Sequence, residues 1–288
     1  MYIVDSHCDS IMRVAERKFP LINPYNLSQK YPQVQMYAMF AGMPGEDAMA
    51  SYRRVTRYIG LFSIAIENEK DKIVKVTSYA DIEKALAEGK HAALVTIEGP
   101  TGLRGDPEIF REFYNFGIRI FGLAWHDSDL ACCNKVLDEG REDTGLTEKG
   151  KEIIKFGNDL GIIFDVSHLS DAGLDDVLKN VSCAVAASHS NLREVCGHRR
   201  NLTDEYFKEI VLRKGIVGIN FYKAFLNNND EEASLSDIIK HIERMLVLGG
   251  ENTVSMGSDY DGCDVVDGIR KMNDIPNLYD LINKEFGS

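Results

Sequence analysis

A chain of 288 residues, 44% hydrophobic and 27% charged, has the composition of a globular protein able to bury a large core. Its net charge of -12, with no basic block, excludes nucleic acid as a partner, and no apolar run approaches the ~20 residues of a membrane span. Six cysteines (Cys8, Cys132, Cys133, Cys183, Cys196 and Cys263) show no C-x-x-C spacing and are expected to be reduced structural thiols. Met1 leads directly into a strand-like YIVDS with no basic region or long apolar stretch, so no secretory signal is expected and the cytoplasm is the predicted location.

Taken in order, Tyr2–Ser6 is a short apolar run ending in His7-Cys8-Asp9. In extended backbone, residues two apart face the same way, so His7 and Asp9 can reach one metal ion. Residues 18–44 hold four of the seven prolines, lack periodicity, and read as a long loop or a small covering element. Residues 46–68 are predicted helical, with Ile73–Thr77 a strand, 79–88 a helix and Ala92–Ile97 a strand ending in Glu98-Gly99-Pro100. A helix over 107–116, a strand over Arg119–Ala124 ending in Trp125-His126, a long loop to Thr144 and a helix over 147–160 follow.

Gly161–Val166 and Ala184–Ala187 are apolar runs that each end in Ser-His, at His168 and His189, with one helix's length between them. That is a βαβ crossover with a histidine just past the carboxyl end of each strand, the end at which ligands gather. Helix is then predicted over 191–195 and 204–213, strand over 216–220, helix over 235–248 and strand over 253–256, closing in GSDYDG. Eight strands in one rhythm predict a single (β/α)8 barrel over residues 1–288, with a doubly wound open sheet as the alternative.

On the barrel, His7, Asp9, Glu98, His126, His168, His189 and Asp259 all fall at carboxyl ends of strands, and four of the seven histidines are among them. Each has an ordinary reading alone, as a core histidine or a helix cap, but their shared rim points to chemistry. Nitrogen and oxygen donors of this kind suit Zn²⁺ and, less well, Mn²⁺, Co²⁺ or Fe²⁺. So many donors suggest two ions, with Glu98, between the two groups in barrel order, as the bridge. A water shared by two ions is acidified toward pKa ~7, which implies hydrolysis of an amide, ester or related bond.

The motifs HCDS at 7–10, IEGP at 97–100, GLTEKGKEIIKFGNDLGIIFDVSHLSD at 145–171, ASHSNLREVCGHRRNLTDE at 187–205, GINFY at 218–222 and GSDYDG at 257–262 resemble the renal (membrane) dipeptidase family of the amidohydrolase superfamily. The resemblance runs from His7 to Gly262. It implies a dipeptidase with two Zn²⁺ ions: one on His7 and Asp9, the second on His168 and His189, with Glu98 bridging. It also implies that His126 stabilises the oxyanion beside the scissile carbonyl, that Arg200 pairs with the substrate carboxylate, and that Asp259 holds the bridging water and passes its proton to the leaving amine.

Arg199 reads as a surface ion pair, Asp261 as a cap or turn residue, and Asn201 and Tyr222 as further pocket lining. The expected partner is a small peptide, with no membrane; a homodimer is left open, because the family's usual Gly-Asn-x-x-Arg segment is not among these residues. Neither the signal nor the lipid-anchor tail of the animal enzymes is visible, so the resemblance is to the soluble microbial branch. Two other readings stay open: hydrolysis of N-acyl amino acids, lactones or cyclic amides, and an inactive metal-binding homologue. Side-chain selectivity is assigned to the loops 18–44, 127–146 and 223–233.

Overall fold

The computed structural model describes residues 2–16, 28, 31–43, 45–103, 105–136 and 138–287. Among these, the strands are β1 (Ile3–Cys8), β2 (Gln33–Phe40), β3 (Ile73–Lys75), β4 (His91–Glu98), β5 (Ile118–Gly122), β6 (Ile163–Asp165), β7 (Val185–Ala187), β8 (Ile216–Ile219) and β9 (Val254–Met256). The helices are α1 (Ser10–Ala15), α2 (Ala48–Asn68), α3 (Tyr79–Ala87), α4 (Pro107–Asn115), α5 (Glu148–Leu160), α6 (Asp171–Asn180), α7 (Asp204–Leu212), α8 (Lys223–Leu226), α9 (Leu235–Val247) and α10 (Ile275–Phe286). All strand pairings are parallel, and β2 pairs with both β1 and β4, so the sheet closes into an eight-stranded ring. The architecture is the expected (β/α)8 barrel.

Two strand assignments are corrected. Gln33–Phe40, within the stretch read as loop, is the second barrel strand and is buried along its whole length. Its two glutamines disguise it: Gln33 Nε2 donates to Gln35 Oε1 at 2.6 Å inside the protein. Conversely, Ile73–Lys75 lies outside the ring. β2 occupies one edge of β4, so β3 and β5 share the other, β3 at its start and β5 toward its end. The two errors compensate, and the ordinal positions of the later strands are unchanged. Much of the remainder of 18–44 lies outside the described residues.

Helix starts follow local chemistry. Asp47, Ser78, Asp106, Thr147, Ser170 and Thr203 each accept a backbone N–H in the first turn of the following helix, and Pro107 occupies a position where its missing N–H costs nothing. Gly161 ends α5 in the left-handed region at φ 72° and turns the chain directly into β6. The helix predicted over 191–195 is not formed; the segment is a set of turns held by a bridge between Leu192 and Leu202. Among the described residues no helix is long and apolar enough to cross a membrane.

The core lies between ring and helices, with Phe62, Phe110, Phe121, Phe164, Phe207 and Phe221 fully buried. The strands are buried on both faces and so read as continuous apolar runs. At the end of the ring opposite the strand termini, a cavity of about 650 Å³ is floored by Val4, Met36, Leu94, Ile120, Ile163 and Ile216. Polar chemistry is concentrated at the other end.

Candidate metal centre

Each donor is delivered by a strand terminus. His7 is near the end of β1 and Asp9 follows it as the N-cap of α1; Glu98 is the last residue of β4; His168, His189 and Asp259 follow β6, β7 and β9 by two or three residues. Their atoms converge. His7 Nε2 lies 3.5 Å from Asp9 Oδ2 and 3.6 Å from Glu98 Oε2. The other oxygen of Glu98, Oε1, lies 2.8 Å from His168 Nε2 and 3.7 Å from His189 Nε2. One carboxylate therefore offers a different oxygen to each pair of donors. The donor atoms of His7, Asp9 and Asp259 also cluster closely enough to share one ion, as do those of His7, Glu98 and His189.

The rings are held from behind. Ser188 Oγ is 2.8 Å from His189 Nδ1, 3.3 Å from His7 Nδ1, and hydrogen-bonded to Asp165 Oδ2. Asp165 Oδ1 in turn accepts from the backbone N–H groups of Ser167 and Ser188, each at 3.0 Å. On the opposite side Asp5 accepts the Ser258 backbone N–H at 2.9 Å and the Ser258 hydroxyl at 2.7 Å, fixing the chain that carries Asp259. Partners behind a ligand ring fix its tautomer and direct its free nitrogen. Asp5, Asp165, Ser188 and Ser258 were not singled out in the sequence; acids inside apolar strands, VDS and FDVS, were the available signal.

Glycine makes the crowding possible. A Cβ at Gly262 would overlap both Asp9 Oδ2 and Asp259 Oδ1, so the two carboxylates approach across a residue that has no side chain. Asp259 itself adopts φ 59°, a left-handed conformation that Asp tolerates better than most residues. Its Oδ2 accepts from Asn220 Nδ2 at 3.1 Å.

Burial dominates the electrostatics. It raises Glu98 well above the usual carboxylate value, and the charges of Asp9 and Asp259 add to the effect. It disfavours a charged His7, but the carboxylates of Glu98, Asp9 and Asp259 outweigh it and raise the ring to about 10. His168 and His189 are pushed well below 6.5 by burial and by the neighbouring charges of Arg200 and His7. Asp259 rises to about 6 through burial. Carboxylates crowded this closely must take up protons or meet a cation. His7 Nε2 is buried without a hydrogen-bonding partner, and together with the N and O donor set it fits a divalent metal such as zinc.

The donors open on a cavity of about 750 Å³, lined among others by Trp125, Arg200, Tyr222 and Phe225. Arg200 is buried; one guanidinium nitrogen donates to Ser167 O and the other lies 3.4 Å from His168 Nε2 and from His189 O. Burial lowers it to about 10, which leaves it cationic at neutral pH, and its charged carbon sits 5.2 Å above the Phe225 ring.

His126 stands beside Trp125, ring centroids 4.4 Å apart, with a buried Nε2 that has no partner; Trp125, not His126, is among the residues lining the cavity. Arg199 pairs with Asp138. Asp261 accepts from Ser10 Oγ at 2.8 Å, and Asn201 donates to the carbonyls of Cys196 and Phe225 away from the cavity lining.

A sequence model of the membrane dipeptidase family, peptidase family M19, matches residues 1–287. The chain belongs to this family. The M19 fold is recovered by a dipeptidase AC of the family, TM-score 0.87 at 22% identity over 99% of this chain and 92% of that one. It is also recovered by a metallopeptidase from Rhodobacter sphaeroides bound to a phosphinate mimic of L-Ala-D-Ala, TM-score 0.86 at 21% identity over 99% and 93%. By sequence the M19 chain is 34% identical to an uncharacterized Klebsiella pneumoniae protein over 72% of its own length and 77% of the relative's. It is 27% identical to an uncharacterized dipeptidase of Schizosaccharomyces pombe over 97% and 71%. As an M19 member it is a metallopeptidase of the dipeptidase type. In this M19 chain the pocket residues that sequence reading passed over include Asn134, Lys135 and Cys263.

Proposed function

We propose that the whole chain acts as one catalytic domain that hydrolyses the peptide bond of dipeptides with two zinc ions. The observation that carries the reading is Glu98, with Oε1 toward His168 and His189 and Oε2 toward His7. In this reading His7 and Asp9 hold one ion, His168 and His189 the other, and Glu98 bridges. When bound, the ions supply Lewis acidity and an acidified water as nucleophile.

The protein's own groups do the rest. Arg200 receives the substrate carboxylate: it is a buried, cavity-facing guanidinium with no carboxylate partner among the described residues. Asp259, raised to about 6 and steadied by Asn220, is suited to hold a proton and hand it to the leaving amine. His126 supports the developing oxyanion through its unpartnered Nε2, which requires the ring to turn inward from Trp125. The six unpaired thiols fit a reducing, cytoplasmic compartment.

The test is metal analysis of the purified protein combined with a substrate panel: L-L and L-D dipeptides, N-acyl amino acids and lactones. The reading expects two equivalents of zinc, activity lost to a chelator and restored by Zn²⁺ or Mn²⁺, and turnover highest on dipeptides. Faster turnover of N-acyl amino acids or lactones would replace the substrate; a single equivalent at full activity would replace the dinuclear scheme.

A further inference from the structure

Asn134 is unusual on the wall of the metal cavity. It is only 7% exposed, yet neither its side-chain nitrogen nor its oxygen has a hydrogen-bonding partner. Buried amides are normally paired, so an orphan that lines a cavity is a group waiting for a ligand. Its backbone N–H donates to the His168 carbonyl at 3.0 Å, which locks the residue to the donor cluster.

Lys135 lines the same wall. Its ammonium lies 5.0 Å from the centre of the Trp125 ring, and no carboxylate pairs with it among the described residues. Of the other cations there, Arg199 pairs with Asp138, and Arg200, oriented by the carbonyls of Ser167 and His189, is assigned to the terminal carboxylate. On the β1 and β9 side the lining is acidic, with Asp9, Glu16, Asp259 and Asp264.

We propose that Asn134 and Lys135 form the subsite for the side chain of the substrate's carboxyl-terminal residue and select an acidic one, aspartate or glutamate. The inference rests on the dipeptidase reading, because Arg200 must hold the terminal carboxylate. Arg200 Nη2 is 3.4 Å from the His168 ring at Nε2, and the Asn134 backbone N–H is bound to the His168 carbonyl, so both residues adjoin one histidine. Both residues line one cavity, so in this proposal the residue whose α-carboxylate meets Arg200 turns its side chain toward Asn134. There a carboxylate accepts from Asn134 Nδ2 and pairs with Lys135. An apolar side chain satisfies neither group, a carboxamide can meet Asn134 but not neutralise the Lys135 ammonium, and a basic one meets a like charge.

The experiment compares kcat/KM for Ala-Glu and Ala-Gln, equal in size and different in charge, with the terminal residue in L and in D form. The wild type is expected to favour Ala-Glu by about tenfold or more, the effect of one charge-assisted hydrogen bond. Lys135→Met, which keeps an unbranched chain over Trp125, brings the ratio near one, and Asn134→Asp drives it below the wild-type value. Because each ratio is taken within one protein preparation, partial misfolding cancels.

No acidic preference in the wild type, or one that survives in Lys135→Met, would overturn the proposal. A wild-type ratio in Asn134→Asp would remove Asn134 from the subsite. Cleavage of Ala-Ala and Ala-Gln without preference for Ala-Glu sinks this inference alone, whereas failure to cleave any dipeptide sinks the underlying reading as well.

Discussion

The Nε2 atoms of His168 and His189 lie 2.9 Å apart, although the two rings arrive from different strands. Both face Glu98 Oε1, so three donor atoms from β4, β6 and β7 surround one point. Neutral imidazoles can share only one proton across such a gap, and a cation uses both lone pairs.

On the dinuclear reading, replacing His168 with Ala should therefore lower the metal content by one equivalent. Activity should fall by more than the ~10–100-fold that loss of outer supports alone produces. Metal analysis and kcat on the same sample check both parts, and an unchanged second equivalent would remove His168 from the ligand set.

Ser188→Ala tests the support behind the rings. Its hydroxyl touches His7 Nδ1, His189 Nδ1 and Asp165. Metal affinity is expected to drop ~10–100-fold while both equivalents still bind at saturating metal, as read in a chelator competition.

Arg200→Met should cost about 30-fold or more in kcat/KM on a dipeptide and little on its carboxamide, since a guanidinium pairs with the charged carboxylate alone. If the free acid and the amide decline together, Arg200 serves the fold instead.

Gly262→Ala places a methyl group against both Asp9 Oδ2 and Asp259 Oδ1. Metal binding and turnover should fail together while the far-ultraviolet circular dichroism spectrum stays that of the parent. Retention of wild-type metal affinity would show that the two carboxylates need not approach across this residue.

Outside the centre, His241 accepts the Leu192 N–H on Nδ1 at 3.2 Å, and its Nε2 lies 3.3 Å from Leu226 O, an arrangement that fits the neutral ring. Burial lowers it to about 4 from 6.5. Since the unfolded ring binds its proton first as pH falls, the contribution is whole above pH 6.5 and is lost between there and about pH 4, a swing of ~3 kcal/mol. Urea midpoints at pH 7 and pH 5 should separate for the parent by more than for His241→Gln.

What the sequence disclosed follows from how each feature is encoded. Runs such as Ala92–Ile97 or Ile216–Ile219 are apolar because both faces are covered, and a histidine or acid directly after them marks the open end of the ring. Gln33–Phe40 escaped because its polar side chains satisfy one another internally, which no pattern of hydrophobicity records. Ile73–Lys75 misled in the opposite sense: a short strand begun by two β-branched residues pairs with the start of β4 without entering the ring. The sequence assigns selectivity to loop 127–146 but does not single out Asn134 and Lys135 within it, because a loop's side chains point where turns send them and no period of 2 or 3.6 applies there.

The joining of β1 to β9 has a consequence for biosynthesis. Asp5 pairs with Met256 in the sheet and binds Ser258, so the His7–Asp9 corner meets Asp259 only after some 250 intervening residues have been made. A ribosome-bound fragment ending before Thr253 would carry His7, Asp9, Glu98, His168 and His189 but would lack β9, the last stave, which draws the first one in. Contacts so distant along the chain form late. Tight metal uptake should thus coincide with the closing of the ring, making the cation a seal on a finished molecule and leaving truncated chains unable to hold it.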